Sequence, residues 1–314
     1  MTKSLRIGFV PLTDAALLHV AQTQHFAAAR GVEIELVPEC SWANIRDKLV
    51  AGHFDAAHML APAAIAVSLG IDQIEAPLVA PVALGLNGNA ITVSKALFEA
   101  LREEALGEMA DPRVTATALA RIVARRRAAG QAPLTFGHVF PFSSHHYQLR
   151  LWLWAGHIDP DSDVRLAVVP PPFMVWTLRK GQLDGFCVGA PWNGLAAATG
   201  AGTILHQGAD IVRDCPEKVL AFRAEWARSH GDEVRALAGA VGDASRWASA
   251  PGNRNSLRTL LTSTSWLDVS PWTIERVFAN GVSTSGPALV ETGLRLDEDA
   301  IKADPARALW LYAQ

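Results

Sequence analysis

Four residues stand where a chain of this pattern offers hydrogen bonds or charge to a small ligand: Trp42, Asn89, His145 and Lys218. Trp42 follows Ser41 and falls in the first turn of an expected helix. Helix starts carry backbone N–H groups without intrahelical partners and the positive end of the peptide dipoles, so they attract anions. The indole adds an N–H donor and a flat wall against which a planar trigonal anion can lie. A core tryptophan packed on Leu49 accounts for the same residue with no ligand at all. His145 follows Ser143 and Ser144, either of which caps the next helix. Its imidazole donates one hydrogen bond when neutral and brings charge when protonated. The plainer account is a partly exposed histidine at a helix start. Lys218 follows Pro216, a residue suited to the first helical position, so it is expected near a helix start, where a cation is slightly unfavourable. It is then either solvated or reaching a ligand. Asn89 closes an Asn-Gly-Asn turn: its amide faces a ligand, or its backbone tolerance alone selects it. His58, expected just after a strand, carries the same ambiguity.

Other chemistries find less support. His145 and His146 are adjacent, so they point about 100° apart on a helix, and no HExxH or cysteine pair accompanies them; no metal site is expected. The three cysteines, Cys40, Cys187 and Cys215, form no CxxC and read as free thiols of a reducing compartment. None has a paired histidine in a local motif, so neither a catalytic residue nor a cofactor is expected. A net charge of -3 with 19% charged residues gives no overall basic surface for direct nucleic-acid binding. Arg121, Arg125, Arg126 and Arg127 read as a solvated helix face. No stretch reaches the roughly 20 apolar residues of a membrane span. The apolar residues 7–12 are interrupted by Gly8 and Pro11 and fall short of a secretory signal, so the cytoplasm is the expected location.

The elements that must position these residues alternate. Strands are expected at 5–10, 32–37, 54–58 and 78–86. Helices fall between them: one from an Asp14 cap to about Arg30 with Gly31 as its stop, one at 41–50, and one from Ala61. A second set follows: helices at 95–106 and 111–129, strand 134–138, helix 144–155, strand 164–168, helix 171–180 and strand 185–188. The remainder is expected to be largely helical, and residues 306–314 read as the start of a terminal helix. The length of 314 residues favours two lobes. Expected lobe boundaries are 1–88 with 194–314, and 89–193. The first crossing is at Asn87-Gly88-Asn89 and the return at Ala190-Pro191-Trp192-Asn193. The fold class is α/β: doubly wound sheets joined by two hinge crossings, a clamp with its ligand after the strand ends.

Taken together, several stretches resemble the nitrate- and bicarbonate-binding proteins of the NrtA/CmpA type and their cytoplasmic NasS-type nitrate/nitrite sensor relatives. They are GFVPLTDAA over 8–16, SWANIRDKL over 41–49, DAAHMLAP over 55–62 and LNGNAI over 86–91. They continue in Phe140-Pro141, His145, VVPPP over 168–172, DGFCVGAPWN over 184–193 and PEK over 216–218. The resemblance runs collinearly along nearly the whole chain. It implies a two-lobed, type II periplasmic-binding-protein-like fold and a nitrate or nitrite site formed by Trp42, Asn89, His145 and Lys218. It implies no enzyme activity. For a NasS-type protein it also implies a partner: an RNA-binding, ANTAR-domain antitermination regulator (NasT-like), released when ligand binds. Two departures stand out. The transporter proteins have a glutamine where Asn89 stands, and an acidic residue often precedes the Pro-Trp pair where Ala190 stands. The bicarbonate binders carry a carboxylate at the position of Lys218, whereas an ammonium favours a permanently ionised ligand such as nitrate. The substrate-binding subunit of a nitrate ABC transporter and a thiamine-pyrimidine-type enzyme on the same scaffold are the alternatives.

Overall fold

The computed structural model describes residues 3–71, 74–263 and 293–313. The chain divides by its contacts into two units. One comprises Met1–Asn87, Phe142–Ser144 and Cys215–Gln314; the other comprises Gly88–Pro141 and His145–Asp214. Each holds one five-stranded sheet.

In the first unit the strands are β1 (Lys3–Phe9), β2 (Val32–Pro38), β3 (Ala56–Leu60) and β4 (Leu78–Ala83), joined by β10 (Lys218–Arg223). Their order is β2-β1-β3-β10-β4. β1 runs parallel to β2 and β3, while β10 is antiparallel to both β3 and β4. Central β3 is buried along its whole length, as expected of a strand covered on both faces. Leu5, Ile7, Leu17, Leu220 and Phe222 share one core with helix Gly231–Ser249. That helix turns Leu237, Ala240, Val241, Ala244 and Ala248 inward, a spacing that follows the helical period.

In the second unit the strands are β5 (Asn89–Ser94), β6 (Thr135–His138), β7 (Arg165–Val168), β8 (Gly185–Gly189) and β9 (Gly202–Gln207). Their order is β7-β6-β8-β5-β9, with β6 parallel to β7 and β8, and β5 antiparallel to β8 and β9. The core gathers Ile91, Val93, Phe136, Leu149, Trp152 and Cys187. The buried Trp152 indole donates to Thr115 Oγ1 at 3.1 Å, which keeps its N–H satisfied.

The α/β class and the alternation of the first ninety residues stand, with corrections of detail. The first helix ends at Thr23; Ala28–Arg30 is a separate 3-10 turn, stopped by Gly31 at φ 84°. Asp14 does not cap that helix, whose N-cap is Ala15 without a side-chain bond. The third strand starts at Ala56, so His58 lies inside it rather than after it. The tail after residue 193 is less helical than expected, because β9 and β10 complete the two sheets. The boundary at 194 is likewise corrected: β9 pairs with β5 from Ala90↔Gln207 to Ser94↔Gly202, which holds residues 194–214 in the second unit. Asn193 is tied there too, donating to Val188 O at 2.7 Å and accepting from Thr92 Oγ1 at 2.9 Å. Residues 264–292 of the expected helical remainder lie outside the described residues. Helix Pro305–Tyr312 is present where a terminal helix was expected. No helix among the described residues is long and apolar enough to cross a membrane.

The tight spot of the first sheet is Gly8. A Cβ built there would lie 2.3 Å from Phe54 Cε2, inside a buried ring. Gly8→Ala is expected to lower stability by about 1–3 kcal/mol through overpacking. In urea unfolding this reads as a lower midpoint at unchanged slope. Gly252→Ala, where a Cβ meets nothing within 4 Å, is expected to leave the midpoint in place.

Candidate ligand-binding site

The polar chemistry of the first unit collects at the carboxyl end of its parallel strands. β10 is antiparallel, and its first residue, Lys218, pairs with Leu60, the last residue of β3. The start of β10 is thereby delivered to the end of β3. The expected helix start at Lys218 is corrected to a strand: Pro216 bridges Leu86, and the ladder with β3 and β4 overrides the local helix signal.

Lys218 is fully buried and is not solvated. Its Nζ lies 2.8 Å from Asp14 Oδ2 and 2.8 Å from Glu217 Oε2. It also stands 5.6 Å from the centre of the Trp42 ring. Asp14 reaches it from the 3-10 turn Thr13–Ala15 that follows β1. The other Asp14 oxygen lies 3.0 Å from His58 Nε2, while His58 Nδ1 accepts the Val10 N–H at 3.4 Å. With Nδ1 used as an acceptor, the His58 proton sits on Nε2 and the ring is neutral. Burial pushes the His58 pKa down, and the Asp14 charge offsets this only in part. His19, edge-on to Phe9 at 5.0 Å, is likewise held neutral, its pKa pushed to about 3 by burial and then by His58.

The carboxylates differ. Burial works to raise Asp14, but Lys218 and His58 overcome it and hold Asp14 below the ordinary carboxylate range. Burial raises Glu217, with Lys218 and the Ser144 hydroxyl only partly offsetting it. Lys218 is held up by its two acids against the burial that opposes its charge.

Trp42 opens helix Trp42–Val50, whose cap Ser41 accepts the Asn44 N–H at 3.2 Å. Its ring lies 5.2 Å from that of His58. The indole is buried, as a core tryptophan would be, yet its Nε1–H has no hydrogen-bond partner among the described residues. An unmet buried donor costs about 1–3 kcal/mol, so this N–H is a position where a ligand acceptor is worth most.

In the second unit Asn89 is the first residue of β5 and pairs with Gly189, the last residue of β8. It is buried, and its Nδ2 donates to Gln148 Oε1 at 3.3 Å. Gln148 belongs to helix Ser144–Ala155, three residues after His145 and on the same helical face. His145 is fully buried rather than partly exposed, because its helix packs its first turn inward. The Gln148 Nε2 has no hydrogen-bond partner among the described residues. A Cβ at Gly208 would fall 2.8 Å from Gln148 Oε1, so glycine there permits the close approach.

Of the four expected residues, Trp42 and Lys218 lie in the first unit, with the ammonium 5.6 Å from the ring, and Asn89 and His145 lie in the second. The spacing did not single out Asp14, Glu217 or Gln148. Asp14 reads only as a helix cap in the sequence, and neither Glu217 nor Gln148 belongs to a motif that marks it. No group of three or more metal-ligating side chains occurs among the described residues.

Residues 1–262 match the profile of the NMT1-like family. The chain is 37% identical over 266 residues to the bicarbonate transport ATP-binding protein CmpC of Synechococcus elongatus, covering 84% of this chain and 38% of that protein. It is 34% identical over 263 residues to the nitrate/nitrite binding protein NrtA of the same organism, covering 81% of this chain and 57% of that protein. The chain therefore spans about half the length of these curated relatives, or less. The crystal structure of the periplasmic nitrate-binding protein NrtA from Synechocystis superposes with a TM-score of 0.85 at 26% identity, covering 99% of this chain and 80% of that one.

The lowered pKa of Asp14 sets a sign for acid stability. A carboxyl held below its unfolded value stabilises the fold above that unfolded value, near pH 4, and the contribution is lost as pH falls further. Asp14→Asn leaves Lys218 with a single acid and only one acceptor oxygen for both Lys218 and His58, and is expected to cost about 3–5 kcal/mol at neutral pH. Denaturant melts from pH 7 to pH 3 should show a shallower acid loss in the variant than in the parent protein. Parallel curves would contradict the pairing.

Proposed function

The chain belongs to the NMT1-like family, and on that premise we propose that it binds a small, permanently ionised oxyanion, nitrate or nitrite, as a binding protein and not an enzyme. One observation carries this reading. The buried, unpaired indole N–H of Trp42 lies beside a buried ammonium, Lys218 Nζ, 5.6 Å from the ring. Two of the three ammonium hydrogens face Asp14 and Glu217, which leaves one donor for a ligand. The sequence resemblance also names Asn89 and His145; within the second unit Asn89 donates to Gln148 at 3.3 Å, and the Gln148 amide nitrogen has no partner among the described residues. Nitrate is favoured over bicarbonate by Lys218, since the bicarbonate binders resembled by the sequence carry a carboxylate there. None of these residues forms a nucleophile–base pair, and no step of bond making is assigned to them.

The ligand then acts as a signal. In the sensor reading, which rests on the sequence resemblance to NasS-type proteins, a cytoplasmic chain holds an ANTAR-type antitermination regulator and releases it when the anion binds. That requires the anion and the partner to favour different states of the chain. The alternative, a substrate-binding subunit of a nitrate ABC transporter, is supported by the likeness to the periplasmic nitrate-binding protein. The same site serves either role.

Calorimetric titration with nitrate, nitrite, bicarbonate and sulfate tests the ligand class, with the first two expected to bind. Trp42→Phe keeps the ring and removes the donor; at about 1–3 kcal/mol it should weaken nitrate roughly 5- to 150-fold. Lys218→Glu should abolish binding, and unchanged affinity there would refute the role of the lysine. A pull-down of the antitermination regulator with and without nitrate separates the two biological roles. Ligand-dependent release supports the sensor, and no capture in either condition supports the transporter subunit.

A further inference from the structure

The second unit carries a buried amide whose two ends stand in different company. Gln148 has no exposed surface and lies on helix Ser144–Ala155. Its Oε1 accepts the Asn89 Nδ2–H at 3.3 Å, and Cys187 Sγ approaches the same oxygen at 3.9 Å. An amide oxygen has two lone pairs, so this end is met. Its Nε2 carries two N–H donors and has no hydrogen-bond partner among the described residues. Turning the amide over would set its N–H groups against the N–H of Asn89, so the Asn89 contact fixes which end is left over. We propose that Gln148 is a specificity-determining residue of the binding protein, whose Nε2 donates a hydrogen bond to an oxygen of the bound oxyanion. The inference rests on the anion-binding reading above and adds to it a residue that neither the family resemblance nor the spacing names.

The fold holds this amide at the edge of the sheet where ligands collect. Asn89 opens β5 and pairs with Gly189, the last residue of β8. Ala90 pairs with Gln207, the last residue of β9, and Gly208 follows directly. A Cβ at Gly208 would lie 2.8 Å from Gln148 Oε1 and 2.9 Å from Nε2, so the bare backbone there forms one wall of the amide. The helix that carries Gln148 follows β6, which runs parallel to β8. The start of β5 and the ends of β6, β8 and β9 therefore share the carboxyl edge, the edge at which open α/β sheets bind their ligands. His145, which the resemblance names, lies three residues earlier on the same face of the helix. A buried donor left unmet is costly, and an acceptor on a ligand removes that cost. The consequence is selection by the sense of the hydrogen bond. Nitrate and nitrite present acceptors only. Bicarbonate brings an O–H as well, and the amide could receive it only at Oε1, which Asn89 and Cys187 already approach. Gln148 thus offers a donor without an acceptor and favours an anion that carries no proton. An anion of the other kind is left with an unpaired polar group, which is how such sites discriminate.

The test is titration calorimetry of the full chain with nitrate, nitrite and bicarbonate. Gln148→Met keeps an unbranched side chain of similar length and removes the donor; nitrate should weaken about 5- to 150-fold. Bicarbonate, bound weakly or not at all by the parent, should not weaken with it, and an equal loss for both anions would overturn the role in selection. Gln148→Glu should abolish nitrate binding at pH 8, where the new carboxylate has no proton to donate. Binding should return as pH falls, because the protonated acid regains an O–H donor, with the parent titrated alongside as the baseline. A residue that only supports the fold would show no such recovery. Unchanged nitrate affinity in a folded Gln148→Met protein would overturn the inference and leave the anion-binding reading intact. No heat from the parent with nitrate or nitrite would instead sink the proposed function itself. Should Gln148→Met fail to fold, the pH profile of Gln148→Glu decides: recovery on acidification supports the donor, and its absence overturns it.

Discussion

A lysine with almost no exposed surface persists only where its charge is met, and meeting the charge of Lys218 determines much of the first unit. Asp14 must arrive from the turn after β1, Glu217 from the approach to β10, and His58 from within β3 to hold the second Asp14 oxygen. Three strands therefore end in register around one ammonium. Shifting β10 by one residue against β3 would turn Lys218 to the opposite face of the sheet and leave Asp14 without its partner. The electrostatics and the strand register enforce each other.

The two units solve the same problem with one topology. Each sheet places its first parallel strand beside the second and third, and each takes its fourth position from a strand that runs antiparallel: β10 in one unit, β5 in the other. Those two strands follow two of the chain's passages between units, at residues 87–88 and 214–215. Because they run antiparallel, their first residues stand at the carboxyl ends of the parallel strands, where open α/β sheets collect their ligand chemistry. Asn89 and Lys218 are those first residues. Their positions are equivalent although the surrounding sequences share no visible repeat.

This explains what could be read from the chain and what could not. Trp42 was legible because Ser41 announces a helix start, and a cap is a local signal. Most strands up to β8 were legible as short apolar runs between turn residues, with their ends displaced by a few positions. β9 and β10 were not, since Gly202–Gln207 and Lys218–Arg223 become strands only by pairing with partners more than a hundred residues distant in the chain. The return to the first unit was misplaced for the same reason. Lys218 was chosen through family resemblance, and its expected helical setting failed with the hidden strand. Its two acids stayed invisible because one of them, Asp14, lies about two hundred residues away, and a salt bridge across that separation leaves no spacing to read. Gln148 was overlooked because its helix carries several polar residues, and only the fold shows which of them face inward.

The partners of Lys218 bear on how a binding protein works between encounters. A buried lysine facing an empty site alone would carry the full cost of an unpaired charge whenever the ligand left. The chain would then be most stable only when occupied, and its empty state would be eroded by unfolding or by any anion at hand. Pairing Lys218 with Asp14 and Glu217 keeps the ammonium partnered when the site is empty, so both states persist. The remaining vacancies are single hydrogen bonds, such as the Trp42 indole N–H, whose cost is small enough to bear and large enough to favour a ligand. On the proposed reading, in which the chain binds and releases an anion, reversible occupancy of this kind is what the site needs. An arrangement of neutral donors around a compensated charge supplies it, where a bare cation would not.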